Sequence, residues 1–247
     1  MSGSLDGRVA IVTGASGGIG KAIARHLAKC GVHLFLSYGH HSDDANEVAQ
    51  EVRRLGLRAA TAAADLSDPT APGQLIEAAI AQLGEVDILV ANAGAAPLRA
   101  WEDIDLDEWN TTLAVNLTAP FLLAQRVLPG MVERGFGRVL FVSSVAGLNG
   151  GVVGAHYAAS KAGLHGLTHH LAPRVAAQGV TVNALAPALI GETRMLPLGP
   201  DSGGAPLPIP VGRVGRPEEV AELAVAMLGN AYLTNKVVTL DGWLLPR

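Results

Sequence analysis

The sequence has a single cysteine in 247 residues, so no intrachain disulfide can form. Cys30 precedes Gly31 at the end of a helical pattern and reads as a small buried hydrophobe. Charge is sparse: 16% of residues are charged, the formal net charge is −4, and there is no run of Lys or Arg. Those absences argue against nucleic acid or an anionic membrane surface as a partner. Mean hydropathy is positive at +0.31, yet no apolar run approaches the roughly 20 residues of a membrane-spanning helix. Residues Met1 to Asp6 lack a basic segment followed by an apolar one, so no signal peptide is expected. No linker, repeat or low-complexity stretch precedes residue 195. The expectation is one cytoplasmic domain over residues 1–247, its core supplied by the 49% of residues that are hydrophobic.

What is present is an alternation of strand and helix patterns. Arg8 to Thr13 is a short, β-branched apolar run, as in a buried strand. Gly14-Ala15-Ser16-Gly17-Gly18-Ile19-Gly20 follows, and Ile23, Leu27 and Cys30 then fall at helical spacing. A strand, a glycine-rich turn and a helix in that order form a phosphate cradle, because glycine lets the backbone approach a diphosphate and a helix N-terminus offers free N–H groups. Further strands are read at Val32–Ser37, Leu57–Ala64, Val86–Val90, Arg138–Ser143, Val180–Leu185 and Lys236–Leu240. Helices are read at Ser42–Leu55, Asp68–Leu83, Leu106–Arg134 (with kinks expected at Pro120 and Pro129), around Tyr157–Lys161, and from Pro217 to Leu228. This rhythm implies an α/β single-domain Rossmann fold: a doubly wound parallel sheet of about seven strands flanked by helices.

In such sheets ligands bind outside the carboxyl ends of the strands. The glycine-rich turn, Asn92 and Ser144 all stand at that edge. The second strand ends in Ser37-Tyr38-Gly39-His40-His41, with no acid before Asp43. An acid there would repel a 2′-phosphate, so its absence leans toward NADP(H), with His40 or His41 as candidate contacts. Asp65-Leu66 ends the third strand, where an adenine would lie. Asn116 sits within a helical pattern, where asparagine is mildly unfavourable, which marks it as a functional candidate. Tyr157 and Lys161 are four apart and share a helix face. A neighbouring ammonium favours the phenolate, so the pair could move a proton. His165 and His169 have a helical metal-ligand spacing, but Gly166 replaces the glutamate of a zinc protease motif and no third ligand is apparent, so no metal is expected. His156 is read either as bordering the substrate pocket or as an exposed loop-end residue. Residues 195–214, with five prolines and four glycines, are read as a substrate lid.

Taken together, Thr13-Gly14-x-x-x-Gly18-x-Gly20, Asp65-Leu66, Asn92-Ala93-Gly94, Asn116, Ser144, Tyr157-x-x-x-Lys161, Asn183 and Pro187 resemble the short-chain dehydrogenase/reductase family over Leu5 to Gly242. Val142–Gly147 and the Gly212–Val220 segment resemble the 3-oxoacyl-carrier-protein reductases within it. The resemblance implies an NADPH-dependent carbonyl reductase acting on a 3-oxoacyl thioester or related ketone, usually a homotetramer built on the helices from Leu106 and from Tyr157. It implies catalytic roles for Asn116, Ser144, Tyr157 and Lys161. Tyr157 would protonate the carbonyl oxygen, Lys161 would hold the nicotinamide ribose and lower the Tyr157 pKa, Ser144 would orient the carbonyl, and Asn116 would anchor a water. Ser143 is the rival serine, and family spacing selects Ser144. Cofactor contacts are implied for Gly14, Ser16, Gly18, Ile19, Gly20, Tyr38, Asp65, Leu66, Asn92, Ala93, Gly94, Tyr157, Lys161, Pro187, Ile190 and Thr193. Gly17 stands where many NADP-dependent relatives carry a basic residue, which keeps NAD(H) and an alcohol dehydrogenase reading open. Ala188 replaces a glycine, and an extra residue lies between Ile190 and Thr193. Gly135 and Gln178 replace arginines that grip an acyl carrier protein, with Arg134 one residue away, so a free or CoA-linked carbonyl compound is the alternative substrate.

Overall fold

The structure, a computed structural model, describes residues 5–199 and 208–245. Seven parallel strands form one sheet: β1 (Val9–Val12), β2 (His33–Tyr38), β3 (Ala59–Ala63), β4 (Ile88–Ala91), β5 (Gly137–Val142), β6 (Val180–Pro187) and β7 (Val237–Leu240), in the order β3-β2-β1-β4-β5-β6-β7. The helices are α1 (Gly18–Lys29), α2 (Ser42–Arg54), α3 (Ala71–Leu83), α4 (Leu106–Leu113), α5 (Ala119–Glu133), α6 (Ala146–Asn149), α7 (Ala155–Val175) and α8 (Pro217–Gly229). The order reverses at β1, where β4 pairs with its other side. That is the topological switch point at which a parallel sheet opens a crevice between diverging connections.

The central strands are buried on both faces, so they read as continuous apolar runs. Alternate residues divide between two cores. Ile11, Leu89, Val139 and Phe141 pack under α3, α5 and α7. Val12, Val90, Leu140 and Val142 pack under α1, α2 and α8. Two covered faces leave only the strand ends free, and the functional groups gather at the carboxyl ends.

The long helical pattern from Leu106 is not one helix kinked at two prolines. It runs as α4, a single π-helical turn over Ala114–Thr118, and α5. Pro120 lies two residues past the end of that turn. It has no N–H to donate to the carbonyl four residues back, which is Asn116, and its ring would crowd it. The backbone widens there, and Ala119 N–H donates to the Ala114 carbonyl instead. Pro129 is accommodated inside α5. Helix α1 starts at Gly18, inside the glycine-rich turn and five residues before Ile23, the first residue of its apolar pattern. Helix α2 starts at Ser42, with His41 as its cap. Helix α3 starts at Ala71 rather than Asp68, whose carboxylate accepts the Thr70 N–H at 2.8 Å and closes a turn before it. The short α6 and a 3₁₀ turn at Trp101–Asp103 carry no periodic signal. Of the expected lid, residues 200–207 lie outside the described residues. No helix among the described residues is long and apolar enough to cross a membrane.

Phe141 is fully buried in the central strand β5. Phe141→Ala removes a large side chain from a two-sided core and is expected to destabilise the fold by about 3–5 kcal/mol in chemical denaturation.

Candidate active site

The glycine-rich turn leads from β1 into α1 with Gly17 as a cap that has an extended backbone and no side-chain hydrogen bond. No acidic residue occupies the first turn, so no carboxylate offsets the partial positive charge of its N–H groups. Gly14 has φ +64°, and a Cβ there would lie 2.9 Å from the Ala93 Cα. A Cβ at Gly20 would lie 2.2 Å from the Gly14 carbonyl oxygen. The cradle is thus shaped by missing side chains, and it fits the diphosphate of a dinucleotide. Thr13 fastens it to β4: its Oγ1 accepts the N–H groups of Asn92 and Ala93, each at 3.0 Å. Asn92 Nδ2 donates to the Thr13 carbonyl at 2.9 Å and to that of Gly14 at 3.2 Å. Thr13 belongs to the motif, but its role as this fastener is not visible from spacing.

Ser16 and Leu66 are buried, Ile19 and Tyr38 are half-buried, and Asp65 is exposed. Hydrogen bonds from the Ser67 hydroxyl and N–H hold the Asp65 carboxyl below its ordinary range. His40 and His41 are exposed beside the end of β2. Pro187 closes β6, and Ile190 bridges to Gly215. Thr193 lies against Gly18, where a Cβ would be 3.2 Å from its Cγ2. These residues therefore stand along the carboxyl edge of the sheet.

The groups expected to do chemistry meet at the ends of β4 and β5. Ser143 and Ser144 follow β5 and point apart. Ser143 Oγ donates to the Lys161 carbonyl at 3.0 Å and pairs with His165 Nε2 at 2.8 Å. Ser144 instead hydrogen-bonds the Tyr157 hydroxyl and accepts the Ala146 N–H at 3.2 Å. Tyr157 and Lys161 are on α7, one turn apart, with the Lys161 Nζ 5.6 Å from the Tyr157 ring centre. Lys161 is only 4% exposed, and its Nζ donates to the Val142 carbonyl at 2.9 Å. Burial lowers its pKa from 10.5 to about 8. Burial raises the Tyr157 pKa, and the Ser144 hydrogen bond works against that rise. The shift is thus upward and set by burial, opposite to the lowering that the Tyr–Lys pairing alone leads one to expect.

Asn116 lies in the π-turn and is fully buried. Its Oδ1 accepts the Ala95 N–H at 2.7 Å, and its Nδ2 donates to the Ala95 carbonyl at 2.8 Å and to Ser160 Oγ at 3.1 Å. It therefore clamps the loop after β4 to α7. A Cβ at Gly94 would lie 3.4 Å from Asn116 Oδ1 and 3.5 Å from Lys161 Nζ, so the missing side chain leaves room where both converge. His169 Nδ1 pairs with Asn235 Oδ1 at 2.7 Å, and the His170 carbonyl accepts from Arg174. His156 is fully buried near the start of α7 rather than exposed at a loop end. Among the described residues no group of three or more ligating side chains is placed to hold a metal.

A profile of the family described as short chain dehydrogenase matches residues 8–199. The chain belongs to the short-chain dehydrogenase/reductase family. Its members are NAD(P)-dependent oxidoreductases acting on CH–OH and C=O groups. The protein is 36% identical to nodulation protein G of Azospirillum brasilense, over 96% of this chain and 98% of that one. It is 34% identical to the L-rhamnose 1-dehydrogenase (NADP(+)) of Thermoplasma acidophilum, over 97% and 96%. It is also 34% identical to a 3-oxoacyl-[acyl-carrier-protein] reductase of Synechocystis, over 98% of each. Among solved structures, a blue fluorescent protein from a metagenomic library, in complex with NADPH, superposes with a TM-score of 0.89 at 35% identity, over 96% of this chain and 98% of that one.

Lys161 gives the short-chain dehydrogenase a test that separates stability from activity. Its pKa is lowered on folding, so between about pH 8 and 10.5 the unfolded chain binds the extra proton. Stability therefore rises as pH increases through that window, and it carries the full burial penalty below it. Tyr157 acts with the opposite sign, but only above about pH 10. Lys161→Met should leave the denaturation midpoint at pH 7 unchanged or raised. It should flatten the rise between pH 8 and about 9.5, while turnover falls at least ~10²-fold.

Proposed function

We propose that the protein is an NADPH-dependent carbonyl reductase acting on a 3-oxoacyl thioester or a related ketone. The observation that carries this reading is the hydroxyl pair at the end of β5. Ser144 and Tyr157 are hydrogen-bonded to each other beside a buried lysine ammonium. Two hydroxyls that meet in this way can both donate to one carbonyl oxygen. A Tyr157 pKa held up by burial keeps the phenol protonated at neutral pH, which suits a proton donor. When bound, the cofactor supplies the hydride. Tyr157 gives its proton to the developing alkoxide oxygen, Ser144 orients that oxygen, and the Lys161 ammonium favours the phenolate left behind. Lys161 and Tyr157 would also hold the nicotinamide ribose. Asn116 keeps the Ala95 loop and α7 together so that this geometry persists.

NADP(H) is supported by the end of β2, where Tyr38, Gly39, His40 and His41 present no carboxylate. It is also supported by the relative named for NADP(+) and by the NADPH complex of the similar structure. Gly17, which brings no charge to the cradle, favours the second reading, an NAD-dependent alcohol dehydrogenase. An acyl substrate is supported by Leu98, Val152 and Met195, exposed on the loops that follow β4, β5 and β6. Gly135 and Gln178 carry no charge for a carrier protein, and Arg134 is already paired with Glu85 at 2.7 Å. A free or CoA-linked 3-oxo compound therefore comes first.

A panel of 3-oxoacyl thioesters, ketones and sugars, assayed with NADPH and with NADH, tests this reading. The 3-oxo compounds with NADPH are expected to turn over fastest, and Tyr157→Phe should lower their rate ~10²–10⁴-fold. NADH binding tighter than NADPH by tenfold would favour the alcohol dehydrogenase reading. A homotetramer is supported by Leu106 and Phe121, exposed on the helices expected to form an interface. Light scattering should give the mass of four chains, and a monomer would contradict it.

A further inference from the structure

A charged cluster outside the catalytic group joins three elements around the cradle. Asp44, in the first turn of α2, holds two cations with one carboxylate. Its Oδ1 accepts from Lys21 Nζ at 2.9 Å, and its Oδ2 accepts from the Arg194 guanidinium. Lys21 belongs to α1, directly after the glycine-rich turn. Arg194 comes from the segment after β6, which crosses in front of α1. The Glu192 carbonyl oxygen and Thr193 Cγ2 lie 2.7 and 3.2 Å from where a Cβ on Gly18 would be.

That segment is fastened at its near end, where Ile190 bridges to Gly215 and the Gly191 N–H donates to the Gly215 carbonyl at 2.9 Å. It is also tightly turned on itself. Thr193 Oγ1 donates to the Ile190 carbonyl at 3.1 Å and accepts the Leu196 N–H at 3.0 Å, and Glu192 adopts φ +53°. The Arg194–Asp44 pair fastens it at the far side. A short, stiff strap tied at both ends thus lies across the N-terminal turn of α1.

We propose that Asp44 is a positioning residue for cofactor binding: through Arg194 it holds segment 190–196 against α1 and closes the groove over the dinucleotide, whichever nucleotide is bound. The proposal rests on reading that groove as the cofactor site. Lys21 serves to fix Asp44 rather than to meet the ligand. The ion pairs are partly exposed, so each is worth a small factor. Because the strap crosses the α1 turn rather than the ribose end of β2, its effect is the same for NADPH and NADH.

The test is the release of each cofactor, followed by stopped-flow fluorescence, from the wild type, Asp44→Asn, Arg194→Ala, Arg194→Lys and the Asp44→Asn/Arg194→Ala double variant. Asp44→Asn and Arg194→Ala should each release NADPH and NADH faster by about two- to fivefold, consistent with a partly exposed pair. The double variant should be no faster than either single one, and Arg194→Lys should retain most of the wild-type rate. Without cofactor, trypsin should cut after Arg194 faster in Asp44→Asn than in the wild type. Unchanged release, or additive effects in the double variant, would overturn the clasp. So would an effect confined to NADPH, which would make Arg194 a direct contact of the 2′-phosphate. If the wild type binds neither cofactor, the proposal falls together with the reading of the groove.

Discussion

An ammonium buried at the end of a central strand governs this structure. Lys161 is almost wholly removed from water, and Val142 offers it a carbonyl. Burial of a charge with so little compensation opposes folding, and the lowered pKa of Lys161 expresses that penalty. The arrangement persists because the surroundings over-determine it. Strand β5 is paired on both sides, α7 crosses its end, and Ser143 ties the strand to the helix at the Lys161 carbonyl itself. Strain of this kind gathers where function needs a group that folding alone would not choose.

The same frame explains how two distant halves of the site keep their spacing. The α1 cradle hangs from β1, and the hydroxyl pair hangs from β5, with β4 between them. Thr13 clamps β1 to the end of β4, and Asn116 clamps the loop after β4 to α7. Each clamp joins a side chain to backbone groups of a loop, so the loops are held as firmly as the strands. A cofactor laid along this edge would have its diphosphate at one clamp and its reactive ring at the other. The distance between them is set by strand pairing rather than by flexible connections.

Much of this was legible in the sequence because strands buried on both faces leave uninterrupted apolar runs and because the glycine-rich turn has its strand before it and its helix after it. Asn116 stood out because asparagine is out of place in a helix, and the structure supplies the reason in a π-turn forced by Pro120. That turn was not legible: its cause acts on a carbonyl four residues away, and proline alone predicted a kink at its own position. The pairing of Asp44 with Arg194 was also invisible, since it joins residues 150 apart in the chain. Nor does motif spacing weigh desolvation. The Tyr–Lys pattern argued for a lowered tyrosine pKa, whereas burial raises it.

The contrast between site and rim follows from the same physics. Proton transfer needs groups that are buried, oriented and desolvated, and only the sheet edge and the helices packed on it can fix them so. Substrate choice needs contact with the part of the molecule that does not react, and that contact falls to the connections after β4, β5 and β6. The exposed side chains of those connections lie outside the core, so they can change without disturbing Lys161. Relatives equally similar to this chain carry names as different as a sugar dehydrogenase and an acyl-carrier-protein reductase. On this protein's rim those connections expose the apolar side chains Leu98, Val152 and Met195.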